Sequence, residues 1–362
     1  MAGIVDASEP APSVGDVERE TDLLFAEGLS AVAVHALGAV PAHRGQPYFD
    51  MFRSTALTTQ MKAMAADTTA APALIALAAT GVRSAVVKGP AMAALHPRGW
   101  PRTYGDIDLI VTPDTFSRTI RCVEGLGFAT SGRAIPQWDW FDLRCREGVN
   151  LHSAGGGNLD VHHHVPPWSF GSGVRAGDVL RRSEPAELCG TPVQFASAED
   201  LLLISALHVL NDLWKGKVGL ASWRDVIVLL HRLGADRARA VFAEAGIGWL
   251  HDLVVAELAR SVPEAGITQP SLVAKPSRAE RVRLAALGWS GHSMATRQRL
   301  AWVSRLPVTN GMLFLAGTLV PSPAYIRDRH GSYLDYWRRG LTETVSTAKG
   351  ADYRMTTVDD ME

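Results

Sequence analysis

The sequence predicts an α+β protein, and three features carry that expectation. Residues from about 82 to 195 alternate short β-prone runs with helical spacings, whereas 20–81 and 196–348 read as helix. Hydrophobic residues make up 47% of the 362-residue chain, enough for a sizeable core in two domains or in one domain with a large appendage. No segment recurs at a fixed period, so a solenoid is not expected. The expected organisation is a flexible leader over 1–19, a mixed-element domain with N-terminal helices over 20–195, a helical domain over 196–348 and a flexible, acidic tail over 349–362.

The elements follow in order. Leu23, Leu24, Leu29, Val32 and Val34 are too dense for a thin apolar stripe and predict one helix packed on several sides, ended by Gly38 and Pro41. A second helix is expected from about Asp50 to Ala79. Ser84 to Val87 is β-prone, and Gly89-Pro90 suits a turn opening a helix through Met92, Ala93 and Leu95. Tyr104 to Val111 reads as a strand. Thr112 and Pro113 then open a helix bearing Phe116, Ile120, Val123 and Leu126, closed by Gly127. Val149–Ser153 and Asn158–Val165 are expected strands, joined by a flexible turn over 154–157. Ser197 with Asp200, and Ser222 with Asp225, have the spacing of helix-starting capping boxes. Further helices are expected around 236–260, 278–289 and 332–345.

Charge and cysteine usage narrow the function classes. Lys and Arg number 36 against 37 Asp and Glu, which argues against holding nucleic acid by bulk charge. Cys122, Cys145 and Cys189 form no CxxC pair, so neither a disulfide framework nor a cysteine-based zinc site is expected. The first twenty residues have no basic and apolar signal pattern, and the apolar run Gly311–Val320 is about half the ~20 residues that span a bilayer. A cytoplasmic protein without membrane association is the expectation.

The sharpest chemical feature is Gly105-Asp106-Ile107-Asp108-Leu109-Ile110-Val111. On a strand, Asp106 and Asp108 share one face, about 6.6 Å apart along the backbone, while Ile107, Leu109 and Val111 take the other. Two carboxylates that close repel unless a positive group stands between them, and Mg²⁺ with its preference for oxygen ligands supplies that charge, Mn²⁺ being the alternative. A solvated edge strand with two inert acids is the competing explanation. Lys88-Gly89 stands at a strand-to-helix junction, where glycine permits close backbone approach to phosphate and lysine adds a cation. Arg102 has two uses open to it, a bidentate phosphate clamp or a pair with a nearby acid. Asp160, in Asn158-Leu159-Asp160-Val161-His162-His163-His164, offers a third acid on a second strand, sharing its face with His162 and His164. It would complete a metal site or take a proton from an attacking hydroxyl. A zinc site on His162, His164 and His152 lacks a fourth ligand, so His162 is read as support for Asp160 or for substrate. No GxSxG, HExxH or GxGxxG motif occurs.

Taken together, Lys88-Gly89, Arg102-x-x-Gly105-Asp106-x-Asp108-Leu109-x-Val111 and Leu159-Asp160-Val161-His162 resemble an uncharacterised branch of the DNA polymerase beta-like nucleotidyltransferase superfamily with KG…RxxGDIDLLV…DLH patterns. His208, Trp223-Arg224-Asp225, the run Val320 to Tyr325, and Tyr333, Tyr336 and Arg339 extend the resemblance over most of 20–345. It implies a mixed sheet flanked by helices, with a helical domain as the other wall of a cleft. It also implies Asp106 and Asp108 as catalytic metal ligands with Asp160 as the third carboxylate, and Lys88-Gly89 at the superfamily's phosphate motif; Arg102 and His162 complete the expected substrate-binding set. Pro90 departs from the superfamily pattern, because many members carry a serine after the glycine.

The function expected on this basis is magnesium-dependent transfer of an NMP group from a nucleoside triphosphate to a hydroxyl or phosphate acceptor, with release of pyrophosphate. A small molecule, peptide or protein acceptor is favoured over RNA by the neutral charge. Phosphoryl or sugar-phosphate transfer on the same fold, and a non-catalytic nucleotide-binding regulator, are the alternatives.

Overall fold

The computed structural model describes residues 12–97, 101–130, 141, 147–165, 174–214, 219–267, 275–278, 280–281 and 308–338. The expected tail and most of the expected helices at 278–289 and 332–345 lie outside or only partly inside these residues.

Helices come first. α1 (Val14–Ala26) is capped by Ser13, whose hydroxyl accepts from the Asp16 amide while Asp16 returns the bond. Helix therefore begins inside the stretch expected to be a flexible leader. A turn at Glu27-Gly28 separates it from α2 (Ser30–Gly38), so the single helix expected here is two, with Leu23 exposed. After the short α3 (Pro41–Arg44), α4 (Pro47–Ala79) runs 33 residues, roughly 50 Å at ~1.5 Å per residue. Its first turns pack Tyr48, Phe49 and Phe52 against α1 and α2. Its last turns bury Ala66, Ala70, Ala73, Leu74 and Leu77 against the sheet.

The sheet is mixed, with seven strands among the described residues in the order β3-β4-β5-β2-β1-β7-β6. β1 (Ser84–Val86) runs antiparallel to β2 (Ile107–Val111), and β2 runs parallel to β5 (Asn158–His162). β4 (Gly148–Ser153) forms a hairpin with β5, and β3 (Phe128–Thr130) pairs with β4. β6 (Glu184–Leu188) and β7 (Thr191–Phe195) form a second hairpin, and β7 joins β1 in parallel. Every residue of β2 is buried, as a central strand requires.

Between the strands stand α5 (Pro90–Ala93), α6 (Pro113–Glu124) and α7 (Ala176–Arg182). α5 is one turn, so the longer helix expected after Pro90 is not formed and its dipole contributes little beside Lys88. α4 and α7 pack against β2, and Leu74, Leu180 and Leu109 belong to the same buried core, so the odd-numbered residues of β2 face the helices and Asp108 the opposite side.

The C-terminal helices are α8 (Ala198–Trp214), α9 (Leu220–Leu233), α10 (Ala235–Glu244), α11 (Gly248–Ser261), α12 (Val308–Leu319) and α13 (Pro323–Arg329). Ser197 caps α8 through the Asp200 amide, and the buried Asp200 carboxylate holds Arg182 of α7. The expected box at Ser222 and Asp225 is absent. α9 begins earlier, at an N-cap Gly219, and the Leu220 amide donates to Glu27 at 2.5 Å. A carboxylate 193 positions upstream does the capping, which leaves Asp225 inside the helix for another task. One apolar core continues from α4 through the sheet into α8–α11. Among the described residues, no helix is long and apolar enough to cross a membrane.

Candidate active site

The parallel pairing of β2 with β5 sets Asp108 directly beside Asp160, with Ile107 beside Leu159 and Leu109 beside Val161. Register neighbours in a sheet point to the same face, so the two carboxylates emerge together at the ~4.8 Å strand spacing. Asp108 is buried and Asp160 half-buried. Asp106 stands just before β2, in a bend, and is exposed at the mouth of the site; the strand expected from Tyr104 begins only at Ile107.

Two cationic side chains face these acids. Lys88, two residues beyond β1, places Nζ 3.9 Å from Asp108 Oδ1. Its ammonium also donates toward His208 Nδ1 of α8 at 3.4 Å. His162, two residues after Asp160 on the same face, sets Nε2 3.3 Å from Asp108 Oδ1 and 3.3 Å from Asp160 Oδ2. The Asn150 carboxamide, opposite Asp160 in the β4–β5 hairpin, turns its NH₂ to donate to both Asp160 oxygens at 2.6 and 3.1 Å.

The charge balance follows from these contacts. Burial would raise the Asp108 carboxyl, but the Lys88 ammonium and the His162 hydrogen bond overcome it and hold Asp108 well below the usual carboxylate range. Burial works against a charged His162, yet Asp160 and Asp108 outweigh it and push the imidazole up to about 10. Asp106 is raised, first by desolvation from the protein packed behind it and then by the neighbouring Asp108 charge, with Lys88 opposing.

Gly89 explains the place of the Lys88-Gly89 pair. It takes φ +50° and ψ −113°, and a Cβ there would stand 3.0 Å from the Asp106 carbonyl oxygen and 3.4 Å from the Tyr104 ring. The Lys88 turn and the Asp106 loop thus touch backbone to backbone. Tyr104 is held in turn by its hydroxyl, which donates to both Asp67 carboxylate oxygens of α4 at 2.8 and 3.0 Å.

Arg102 is paired with an acid. Its Nε lies 2.9 and 3.1 Å from the Asp225 oxygens, and Asp225 also accepts from His96. His163 is packed, fully buried against Phe116. β5 ends at His162, so His164 lies beyond it, and His152 bonds Asn158 across the hairpin. The histidine grouping considered for zinc is therefore not assembled. Asn150, His96, Asp67 and Tyr104 carried no local motif that marked them for the site, Asp225 was marked as a helix cap and by the family resemblance, and His208 was visible only through that resemblance.

Among the described residues, one group could hold a metal ion: Asp108, Asp160 and His162 present ligand atoms within 4.8 Å of one another. An ion bound at ~2.0–2.4 Å from each spans such a set. Two carboxylates suit a hard cation, and the imidazole nitrogen suits Mn²⁺ once a bound ion takes the place of its Nε2 proton between the carboxylates. The donor set therefore fits a divalent metal.

Residues 14–253 match the family model described as uncharacterised nucleotidyltransferase. The chain belongs to this family. As a nucleotidyltransferase it falls among the transferases, and its mixed sheet with flanking helices is an α+β nucleotidyltransferase-like fold. A solved structure that it resembles is an antigenic nucleotidyltransferase-like protein from Paracoccidioides brasiliensis, at 16% identity and a TM-score of 0.37, covering 56% of this chain and 93% of that one. No curated protein matches this nucleotidyltransferase.

Proposed function

We propose that this nucleotidyltransferase moves an NMP group from a nucleoside triphosphate to a hydroxyl or phosphate acceptor, with pyrophosphate as the leaving group. The observation that carries this reading is the register pairing of Asp108 with Asp160 on neighbouring strands, with Lys88 3.9 Å from Asp108. Asp106, Asp108 and Asp160 would hold magnesium, or manganese, with His162 against the last two. When bound, the ion would neutralise charge developing on the phosphate oxygens.

The protein's own groups do the rest. Lys88 and Arg102 bind the phosphates, and Gly89 lets the Lys88 turn lie against the backbone of the Asp106 loop. Pro90 offers neither hydroxyl nor N–H at the next position, so phosphate grip rests on these side chains. Asp160, oriented by Asn150, takes the proton of the acceptor hydroxyl. The acceptor oxygen bonds to the α-phosphorus as the bond to the α–β bridging oxygen breaks, and that oxygen leaves with the electron pair on pyrophosphate. The balanced chain charge favours a small molecule, peptide or protein acceptor over RNA. A cytoplasmic setting, where triphosphate is available, belongs to this reading.

Isotope placement tests it. With magnesium, a fractionated cell extract as acceptor pool and ATP labelled at the α or the γ position, the α label should move to an acceptor and pyrophosphate should appear. Asp108→Asn should remove both. Transfer of the γ label, or undiminished transfer by the variant, would overturn the proposal.

A further inference from the structure

Arg102 is anchored from the far side of the sequence. Its Nε donates to Asp225 Oδ1 and Oδ2 at 3.1 and 2.9 Å, and its NH2 lies 2.9 Å from Oδ2. The Asp225 carboxylate, nearly buried, also lies 2.9 Å from His96 Nε2. Arg224 NH2 stands 3.3 Å from His96 Nδ1 and donates to the Pro101 carbonyl at 3.1 Å. A guanidinium can only donate, so Nδ1 accepts and the imidazole proton sits on Nε2, aimed at Asp225. Burial lowers the His96 pKa, with Asp225 opposing, which agrees with a neutral ring.

This network holds more positive charge than it needs to close on itself. Arg102 contacts the carboxylate directly, whereas Arg224 reaches it only through His96, which is neutral and contributes no charge. Asp225 occupies the Nε–NH2 edge of Arg102 and leaves NH1 with a long 3.4 Å contact to the Thr103 carbonyl. Arg102 remains partly exposed, four residues before Asp106, whose carboxyl is raised by burial and Asp108, a rise that the Arg102 charge partly offsets. A plain tether between α9 and the 101–105 loop would require neither the second guanidinium nor an open donor edge.

We propose that Asp225 is a positioning residue: it fixes Arg102 so that the NH1 edge meets the β- and γ-phosphates of a nucleotide at Asp106 and Asp108. This rests on the triphosphate reading of the site and assigns its phosphate-counting element to the helical block. His96 and Arg224 hold Asp225 in turn.

The test compares binding of ATP and of AMP, each with magnesium, to the full chain by calorimetry. The wild-type protein should prefer ATP. Asp225→Asn should lose about tenfold in ATP affinity, the size of one charge-assisted hydrogen bond, with AMP affinity unchanged within about twofold. Arg102→Gln should do the same, and the double variant should bind ATP no more weakly than Arg102→Gln alone. Arg102→Lys keeps the charge but not the two-point clamp; it should lose the ATP preference, and it carries the test if Asp225→Asn does not fold. Equal losses of ATP and AMP, or a retained ATP preference in the folded variants, would overturn the positioning role alone. A wild-type protein with no preference for ATP over AMP would overturn the triphosphate reading and this inference with it.

Discussion

Replacing Gly89 with alanine isolates the contact that joins the Lys88 turn to the Asp106 loop. Gly89 takes φ +50° and ψ −113°, a combination that an L-residue adopts at a cost of ~1–3 kcal/mol. The new Cβ would also meet the Asp106 carbonyl oxygen at 3.0 Å and the Tyr104 ring at 3.4 Å. Neither neighbour yields freely, since Asp106 leads into the central strand and Tyr104 is tied to Asp67, so crowding adds ~1 kcal/mol. The sum is ~2–4 kcal/mol, and at ~2 °C per kcal/mol for a chain of this size the Tm should fall by ~4–8 °C. Gly105→Ala is the matched control. It lies in the same motif, next to Asp106, yet has no neighbouring atom within 4 Å of the added Cβ and no positive φ. Its Tm should stay within about 1 °C of wild type or rise slightly, as unfolded-state freedom is lost. Thermal unfolding followed by far-ultraviolet circular dichroism reads both. An unchanged Tm for Gly89→Ala, or an equal fall for Gly105→Ala, would refute the backbone-contact argument.

Other perturbations have equally definite outcomes. Asp200→Ala removes a fully buried acid that holds Arg182 and Ser197, and the urea midpoint should report a loss of ~2–4 kcal/mol. Burial raises the Asp67 pKa above the ordinary 3.8 despite the Tyr104 hydrogen bond, so ionisation costs the folded state more than the unfolded one. That penalty is absent below the unfolded value and fully present above the raised folded one. Asp67→Asn, which still accepts from Tyr104, should therefore gain stability relative to wild type at pH 7 and lose that gain below pH ~3.8; urea unfolding at both pH values decides it. Lys88→Met should weaken magnesium-ATP binding ~10–100-fold by calorimetry while the fold persists, and unchanged affinity would remove Lys88 from phosphate recognition.

The strands and acids that follow local rules were legible in the sequence. The period-2 patterns of Ile107 to Val111 and of Leu159-Asp160-Val161 set each acid apart from the apolar side of its own strand, and the parallel register of β2 and β5, which no local pattern gives, brings Asp108 and Asp160 side by side. The turn between β4 and β5 was equally legible in its glycines. The β6–β7 hairpin was not, because Pro185, Pro192 and two glutamates depress strand propensity; the edge position of β6 tolerates Pro185 and the glutamates, Pro192 lies at the start of β7 away from its pairing with β1 at Phe195, and the two-residue turn places Cys189 and Gly190 at φ 48° and 74°. Long-range partners left no local trace. Asp225 meets Arg102 across 123 positions and Glu27 caps α9 across 193, and in both cases the nearby spacing pointed to a different use. His162 was read as an accessory to Asp160, whereas hairpin and register together wedge it between two carboxylates.

The central claim is that Asp108 and Asp160, with Asp106 at the mouth, form a divalent-cation site facing a nucleotide. Crystals grown with Mn²⁺ and a non-hydrolysable ATP analogue would test it through anomalous scattering at the manganese edge. The account predicts a peak ~2.0–2.4 Å from oxygens of Asp108 and Asp160, with the triphosphate running toward Lys88. A peak confined to other residues, or a nucleotide bound with no ion between these two carboxylates, would contradict it.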